Sequence, residues 1–455
     1  MSTAFCSRLT NMNTMHYRSA TRYARTSHRP GLTLRQKRGS FKTFKIKGRP
    51  IDSEIGQFLA YLDSSAFRGM RPKEHLQSHN YQKLYLDLIQ NLSYRHTTES
   101  INKFLHLSDN EALKSTTLEN RVESFGDALS SAYESETERI LESHHIDVAS
   151  GIIDEDSTIS SAAITPDLPA VHDEGYIRSF IADYNRGRDC LTKLKFSEQT
   201  KKVETSSDRC CYITVDDVGV KFQKSQRKGK SKKSKKYVEN TVIHVQADGG
   251  QYTITAIGMD NAFRRLIAFL LETRLMENHR LIFLTDGAVN IRDRIDRFFA
   301  FREYSVILDW LHLDKKCYEY MSMAVKGTKA EKDGMKKTLS SILWTGRADK
   351  AIKFLNDIKK KNIKNDRKLN ELKDYILRKT PMLTCYALRH ELGLKISSNR
   401  VEKENDLVVA SRQKHNGMSW SDKGSGAIAI ITAASRNNEL DSFLVSKQIR
   451  FKLCA

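Results

Sequence analysis

The sequence predicts an α/β domain built on a mixed sheet and carrying a helical insertion, preceded by a mainly α-helical region. Three observations carry this reading. Between residues 211 and 257, three β-branched, apolar runs are joined by polar connections, the pattern of antiparallel strands. From 261 to 308 helical periodicity alternates with short, continuously apolar runs. Residues 315–397 are helical and Lys-rich. With 455 residues the chain has room for two or three domains. No apolar run approaches the ~18 residues that cross a bilayer, so an integral membrane protein is excluded and no membrane partner is expected. Seven cysteines, an odd number without a C-x-x-C pair, exclude a disulfide-stapled secreted module. Cys210 and Cys211 read as reduced core thiols of a strand.

Residues 1–50 carry twelve Lys/Arg and no acid in a Ser/Thr/Tyr-rich, weakly periodic stretch. That composition fits a disordered basic arm on nucleic acid. It also fits an organellar transit peptide, or a misplaced start with Met12 and Met15 as internal alternatives. Residues 51–146 read as helical, with Phe58, Leu62, Tyr85 and Leu88 as core residues of the first part. Thr97-Thr98-Glu99 opens a helix carrying Ile101, Phe104 and Leu105, and a polar turn follows around Ser108–Glu111. Ser115-Thr116-Thr117 then caps a second helix with Leu118, Val122 and Phe125, closed by Gly126. Two short helices with the second capped fit a helix-turn-helix DNA reader, and equally an ordinary helical hairpin, which the local acidity favours. Residues 147–175, with low periodicity and two of the six prolines, read as a linker to a domain at 176–455.

In that domain Cys211–Phe222 is the first strand, followed by a basic run at 224–236 with eight Lys/Arg in thirteen residues. Thr241–Val245 and Tyr252–Ile257 are the next two strands, joined by the turn Asp248-Gly249-Gly250. A helix runs from Asn261 to about Leu275, and Leu281–Thr285 is a strand apolar enough to be buried on both faces. A helix through Ile291, Ile295, Phe298 and Phe299 leads to the strand Ser305–Leu308. Three antiparallel strands followed by alternating helix and strand is the order of the ribonuclease H-like fold. The helices at about 315–397 are then an insertion after the last strand.

Such a fold places carboxylates on the first strand, just after the fourth, and on a later helix. Asp216 sits mid-strand in V-D-D, Asp286 follows a strand in T-D-G-A, and Asp309 follows the next in L-D-W-L-H. Aspartates at strand carboxyl ends mark sites in open α/β sheets. Asp216 and Asp217 point to opposite faces, so at most one faces the site. A later helix, capped by Ser398 or Asn399 and ending at Gly417, buries a stripe of Val401, Val408 and the alkyl part of Arg412. Glu402 lies beside that stripe with Asn405 and Val409 one and two turns below, whereas Glu404 lies roughly 200° around, facing solvent. Glu402 is therefore the better ligand.

The segment V-E-K-E-N-D-L-V-V-A-S-R-Q-K-H-N-G-M-S-W-S at 401–421 resembles the C-terminal signature of bacterial insertion-sequence DDE transposases, V-E-x-x-N-x-x-V-x-x-R-x-K-x-x-G-M-x-W. Upstream, V-D-D-V-x-V-K-x-Q at 215–223, T-D-G-A at 285–288 and L-D-W-L-H at 308–312 resemble the same family, in the same order. The Kra-type members are most similar, the Lre-type next. The resemblance spans residues 210–436 and implies a catalytic and metal-binding triad of Asp216, Asp286 and Glu402. Asp309, His312 and Asn405 would stand behind it. No other cofactor is implied.

Phosphodiester hydrolysis needs an activated water and stabilised charge on both sides of phosphorus, which two Mg²⁺ ions ~3.5–4 Å apart supply, with Mn²⁺ as a substitute. Mg²⁺ prefers carboxylate oxygens and keeps several waters, so three carboxylates suffice when DNA supplies the rest. Asp216 would bridge both ions, with Asp286 and Glu402 holding one each. The net charge of +21 points to a polyanion. It is divided: residues 101–200 hold nine basic and nineteen acidic residues, and the rest of the C-terminal half is strongly basic. Lys228, Lys230, Lys232 and Lys233 in the basic run are expected to grip phosphates, and Arg412 and Lys414 to hold DNA near the cut. Trp420 stacks on a base or fills the core. The expected partner is double-stranded DNA, both element ends and target, with self-association on DNA and a cytoplasmic, nucleoid-associated location. The alternatives are a decayed or domesticated transposase that binds DNA without cutting it, and a nuclease of the same fold without strand transfer.

Overall fold

The computed structural model describes residues 32–33, 45–46, 48–53, 56–61, 76–77, 79–105, 112–153, 174–190, 192–201, 203–204, 209–223, 237–397, 406–414 and 418–454. The chain divides into two units, residues 1–118 and 119–455.

In the first unit, β1 (Leu32–Thr33) pairs antiparallel with β2 (Lys45–Ile46). A second sheet in the order β4-β3-β5 is formed by β3 (Gly48–Ser53), β4 (Gly56–Tyr61) and β5 (Leu76–Gln77). The helical reading of residues 51–62 is thus corrected: Ile51 stands opposite Phe58 as a cross-strand pair. A spacing of seven fits one helical face as well as a tight hairpin. Helix α1 (His79–Ile89) buries Tyr81, Tyr85, Leu86 and Ile89, and Leu88 is half-buried. Leu62 lies outside the described residues. Helix α2 (Tyr94–Phe104) starts three residues before the expected Thr97, because Ser93 caps it by accepting the His96 N–H at 3.1 Å.

Helix α3 (Ser115–Ser143) does not stop at Gly126. The glycine is no C-cap: a Cβ there would lie 2.4 Å from Ala427 Cβ, so the missing side chain permits a close helix crossing. The short second helix of a helix-turn-helix is therefore replaced by a 29-residue rod. Its residues from 119 onward belong to the second unit, where Tyr133 stacks on Phe451 and Arg264 bridges Glu134 at 2.7 Å. The contact division thus falls at 118/119, ahead of the expected linker; residues 154–173 of that linker lie outside the described residues.

Past α4 (Glu174–Tyr184), the second unit centres on a five-stranded mixed sheet surrounded by helices. Its strands are β6 (Cys210–Lys221), β7 (Tyr237–Ala247), β8 (Gly250–Ile257), β9 (Arg280–Thr285) and β10 (Tyr304–Leu308), in the order β10-β9-β6-β7-β8. The first three are antiparallel, and β9 and β10 run parallel to β6. The β7–β8 turn works because Asp248 and Gly249 both take positive φ, 50° and 75°, matching the twist of the flanking strands. On one face, α5 (Met259–Glu272) and α6 (Val289–Phe298) pack through aromatic contacts, Tyr252 with Phe269 at 4.3 Å and Phe263 with Phe298 at 5.2 Å.

The opposite face carries two bodies. One is α7 (Trp310–Ala324), α8 (Lys329–Trp344), α9 (Ala348–Asn356) and α10 (Asp366–Lys379), whose core is continuous with Tyr212, Ile282 and Leu284 of the sheet. The other is α11 (Asp422–Arg436), which places Ser425 against Asn240; α12 (Leu440–Ser446) follows. The open edge of β8 is covered by other groups. Gln251 pairs with Cys454, Thr253 with the Asn437 amide, and the Thr255 carbonyl accepts from Arg265. No helix among the described residues is long and apolar enough to cross a membrane.

Candidate active site

Parallel pairing decides which carboxylates meet. Thr214 of β6 stands beside Leu284 of β9, so continuing both strands by two residues brings Asp216 alongside Asp286. Leu308 of β10 stands beside Thr285, which brings Asp309 alongside Asp286 from the other side. The Asp309 N–H donates to the Thr285 carbonyl at 2.8 Å and fixes that alignment. Three aspartates thus line up across three adjacent strands, Asp286 and Asp309 just past the ends of β9 and β10 and Asp216 within β6.

Their environments differ. Asp309 is 1% exposed and caps α7 by accepting the His312 N–H at 2.8 Å; its carboxylate is 3.3 Å from His312 Nδ1. Asp286 is exposed and accepts the Ala288 N–H at 2.7 Å, holding the T-D-G-A turn. Asp216 is half-buried. Burial pushes its carboxyl up to about 6, against a hydrogen bond from the Asp217 N–H; the charges of Asp286 and Asp217 raise it further and His312 lowers it. Asp217 points to the other face, where it accepts the Thr241 hydroxyl at 2.5 Å. Burial raises its carboxyl too, opposed by Thr241.

Sequence reasoning missed Lys379, the last residue of α10. Its ammonium donates to the Gly287 carbonyl, and a Cβ on Gly287 would lie 2.8 Å from Lys379 Nζ. Gly287 also has φ +76°, the left-handed region that favours glycine in T-D-G-A. Burial lowers the Lys379 pKa and the field of Asp286 opposes that. Nothing in R-K-L-N-E-L-K-D-Y-I-L-R-K distinguishes this lysine from its neighbours. The helix end before Thr380-Pro381 is its sole marker.

Other predicted residues divide into two groups. Glu402, Asn405, Lys228, Lys230, Lys232 and Lys233 lie outside the described residues. Arg412 and Trp420 are described and buried, 2% and 5% exposed, so Trp420 takes the core alternative and the Arg412 side chain is packed inside the protein. The Arg412 guanidinium lies 4.9 Å from the Trp420 ring centroid. Trp420 clamps the end of β6: its N–H donates to the Lys221 carbonyl at 2.9 Å, and its carbonyl accepts the Gln223 N–H at 3.0 Å. The segment is also not one regular helix, since Asp406–Ala410 forms a π-helical turn that buries both Val408 and Val409. Lys414 remains exposed.

Asp216 and Asp286 fit a hard, oxygen-seeking dication: two carboxylates repel across the site, and a cation between them would relieve the repulsion. Among the described residues no third acid, histidine or cysteine completes a metal-binding group. No protein-family model matches the chain, and no curated protein matches it. Among solved structures, the Drosophila P element transposase strand transfer complex is similar at a TM-score of 0.19 and 10% identity, covering 62% of this chain and 75% of that one. A score this low does not define a shared fold.

Proposed function

We propose that the protein is a ribonuclease H-like DDE transposase that cuts and joins DNA with divalent metal held by Asp216, Asp286 and Glu402. The observation that carries this is the alignment of Asp216, within β6, beside Asp286, which follows the carboxyl end of the parallel strand β9, in a sheet ordered β10-β9-β6-β7-β8. Glu402 is assigned from its signature motif, as is the finer assignment to the Kra type. When bound, Mg²⁺ (or Mn²⁺) supplies water activation and charge neutralisation at the attacked phosphate. Asp286, exposed and locked by Ala288 and Gly287, presents its carboxylate to solvent and DNA. Asp309 sets the start of α7 and so the position of His312, whose charge acts on Asp216. DNA, both element end and target, is the substrate of this reading, which implies self-association on DNA and a nucleoid-associated location.

Cleavage of an oligonucleotide carrying the element end, in Mg²⁺, tests the assignment. Asp286→Asn and Glu402→Gln should each lower cleavage on the order of 100-fold or more, with Glu404→Gln near wild type. Variants that cut as well as wild type would sink the triad. Cleavage without joined products would leave a nuclease of the same fold.

A further inference from the structure

Helix α7 leaves Asp309 at the candidate site and runs 15 residues, roughly 22 Å, to Ala324. Helix α10 makes the return, from Asp366 to Lys379, whose ammonium reaches the Gly287 carbonyl next to Asp286. The two helices touch through Tyr320 and Tyr375, with ring centroids 6.3 Å apart. At the end far from the site, the connection after α7 is tied to the connection before α10. Val325 forms an antiparallel bridge with Ile363, the Lys326 N–H donates to the Asn362 carbonyl at 2.7 Å, and the Lys364 N–H donates to the Ala324 carbonyl at 2.7 Å.

These tied segments, residues 325–329 and 357–366, carry Lys326, Lys329, Lys359, Lys360, Lys361 and Lys364 against two acids, Asp357 and Asp366. All six lysines are exposed, so none fills the core. Among the described residues none of them forms a side-chain ion pair, whereas Lys316, Arg367 and Lys368 on the adjoining helices do. Glu331 feels the charge of Lys361, but its carboxylate already accepts the Thr328 N–H at 2.7 Å and the Thr328 hydroxyl at 3.0 Å. Like charges gathered on two tied loops repel one another, and a polyanion outside the protein relieves that repulsion. The spacing suits one such polyanion. Each strand of a duplex advances ~3.4 Å per base pair, so roughly 20 Å spans about six base pairs. A duplex that short stays straight against a persistence length of ~150 base pairs, and meets both ends of the α7–α10 strut at once.

We propose that this lysine knob grips the backbone of the duplex DNA whose cut phosphate lies at Asp216 and Asp286, about six base pairs away. The proposal rests on the DNA-cleaving reading of that site. Titration of a fluorescent duplex of arbitrary sequence, about 30 base pairs long and without Mg²⁺, tests the contact over a range of salt. Replacing all six lysines by Gln should flatten the slope of log K against log salt by about 3 to 5, at ~0.9 per contact, and leave Tm unchanged. Replacing them by Arg should keep the wild-type slope. A Lys→Gln slope equal to wild type overturns the contact. So does tight binding of single-stranded RNA that the Lys→Gln variant loses while its duplex binding stays at the wild-type level. Oligonucleotide cleavage in Mg²⁺ then tests the spacing. The Lys→Gln variant should lose kcat/KM several-fold on substrates with arms of about 12 base pairs on both sides of the cut. It should match wild type once the arm on one particular side is cut back to about four. A loss that survives shortening of either arm overturns the spacing. A knob-dependent salt slope in a protein that cuts no DNA would instead sink the catalytic reading and leave the contact standing.

Discussion

At the residue scale, the T-D-G-A turn is held from two sides, by the Ala288 N–H on the Asp286 carboxylate and by the Lys379 ammonium on the Gly287 carbonyl. An aspartate directly after a continuously apolar run is visible in the sequence as a strand end, as at Asp286 and Asp309. Their alignment with Asp216 depends on strand register, and the pairs Thr214–Leu284 and Leu308–Thr285 supply it. Lys379 lies 92 residues from Gly287 and meets it only through the packing of α10. An ammonium beside Asp286 would engage a phosphate there by a charge-assisted hydrogen bond. Lys379→Ala should therefore lower DNA cleavage about 10-fold or more, with partial recovery in Lys379→Arg. Removing a cation from the field of Asp286 should not weaken metal binding, so the Mg²⁺ half-saturation should stay constant or fall. A rise in that value with unchanged cleavage at saturating Mg²⁺ would make the lysine a support of the metal site instead.

Elements were legible where local pattern and tertiary need agree. The strands from 210 to 308 announce themselves through β-branched runs and a turn whose two residues both need positive φ. The rod α3 was not legible, because Gly126 reads locally as a stop and only Ala427, 301 positions away, explains it. The same rod supplies Tyr133 to a buried carboxyl at Glu439, which also accepts the Tyr252 hydroxyl at 2.7 Å. Burial pushes Glu439 up to about 7, opposed by hydrogen bonds from Tyr133, Tyr252 and Asn437. The ordinary value is 4.5, so between pH 4.5 and about 7 the folded protein holds a proton that the unfolded chain has released. Stability contributed by this group must then fall as pH rises through that window and level off above it. Glu439→Gln should remove this slope and raise stability at pH 8, relative to wild type, on the order of 2 kcal/mol. Melting curves of both proteins from pH 4 to 9 check it; parallel pH profiles would show that Glu439 ionises normally.

At the scale of the whole molecule, a net charge of +21 favours a polyanionic partner but does not say which cations would touch it. Arg412 makes the point: its signature position suggests a DNA contact, and its burial over Trp420 gives it a packing role. The basic run at 224–236 has better grounds. In sequence it follows β6, and because β6 runs parallel to β9, the described end of β6 at Lys221 lies toward the end of the sheet that carries Asp286. Each phosphate neutralised releases counterions, with a slope of log K against log salt near −0.9 per contact on duplex DNA. Replacing the eight Lys/Arg of 224–236 by Ser and Gln should flatten that slope by up to about 7. Arg412→Ala, by contrast, should lower Tm and leave the slope alone, because a buried guanidinium releases no counterions. Titrations of fluorescent duplex DNA from low to moderate salt, on both variants, separate the two roles. A slope that changes with Arg412→Ala and not with the eight-residue replacement would move the DNA path away from β6 and toward the signature segment.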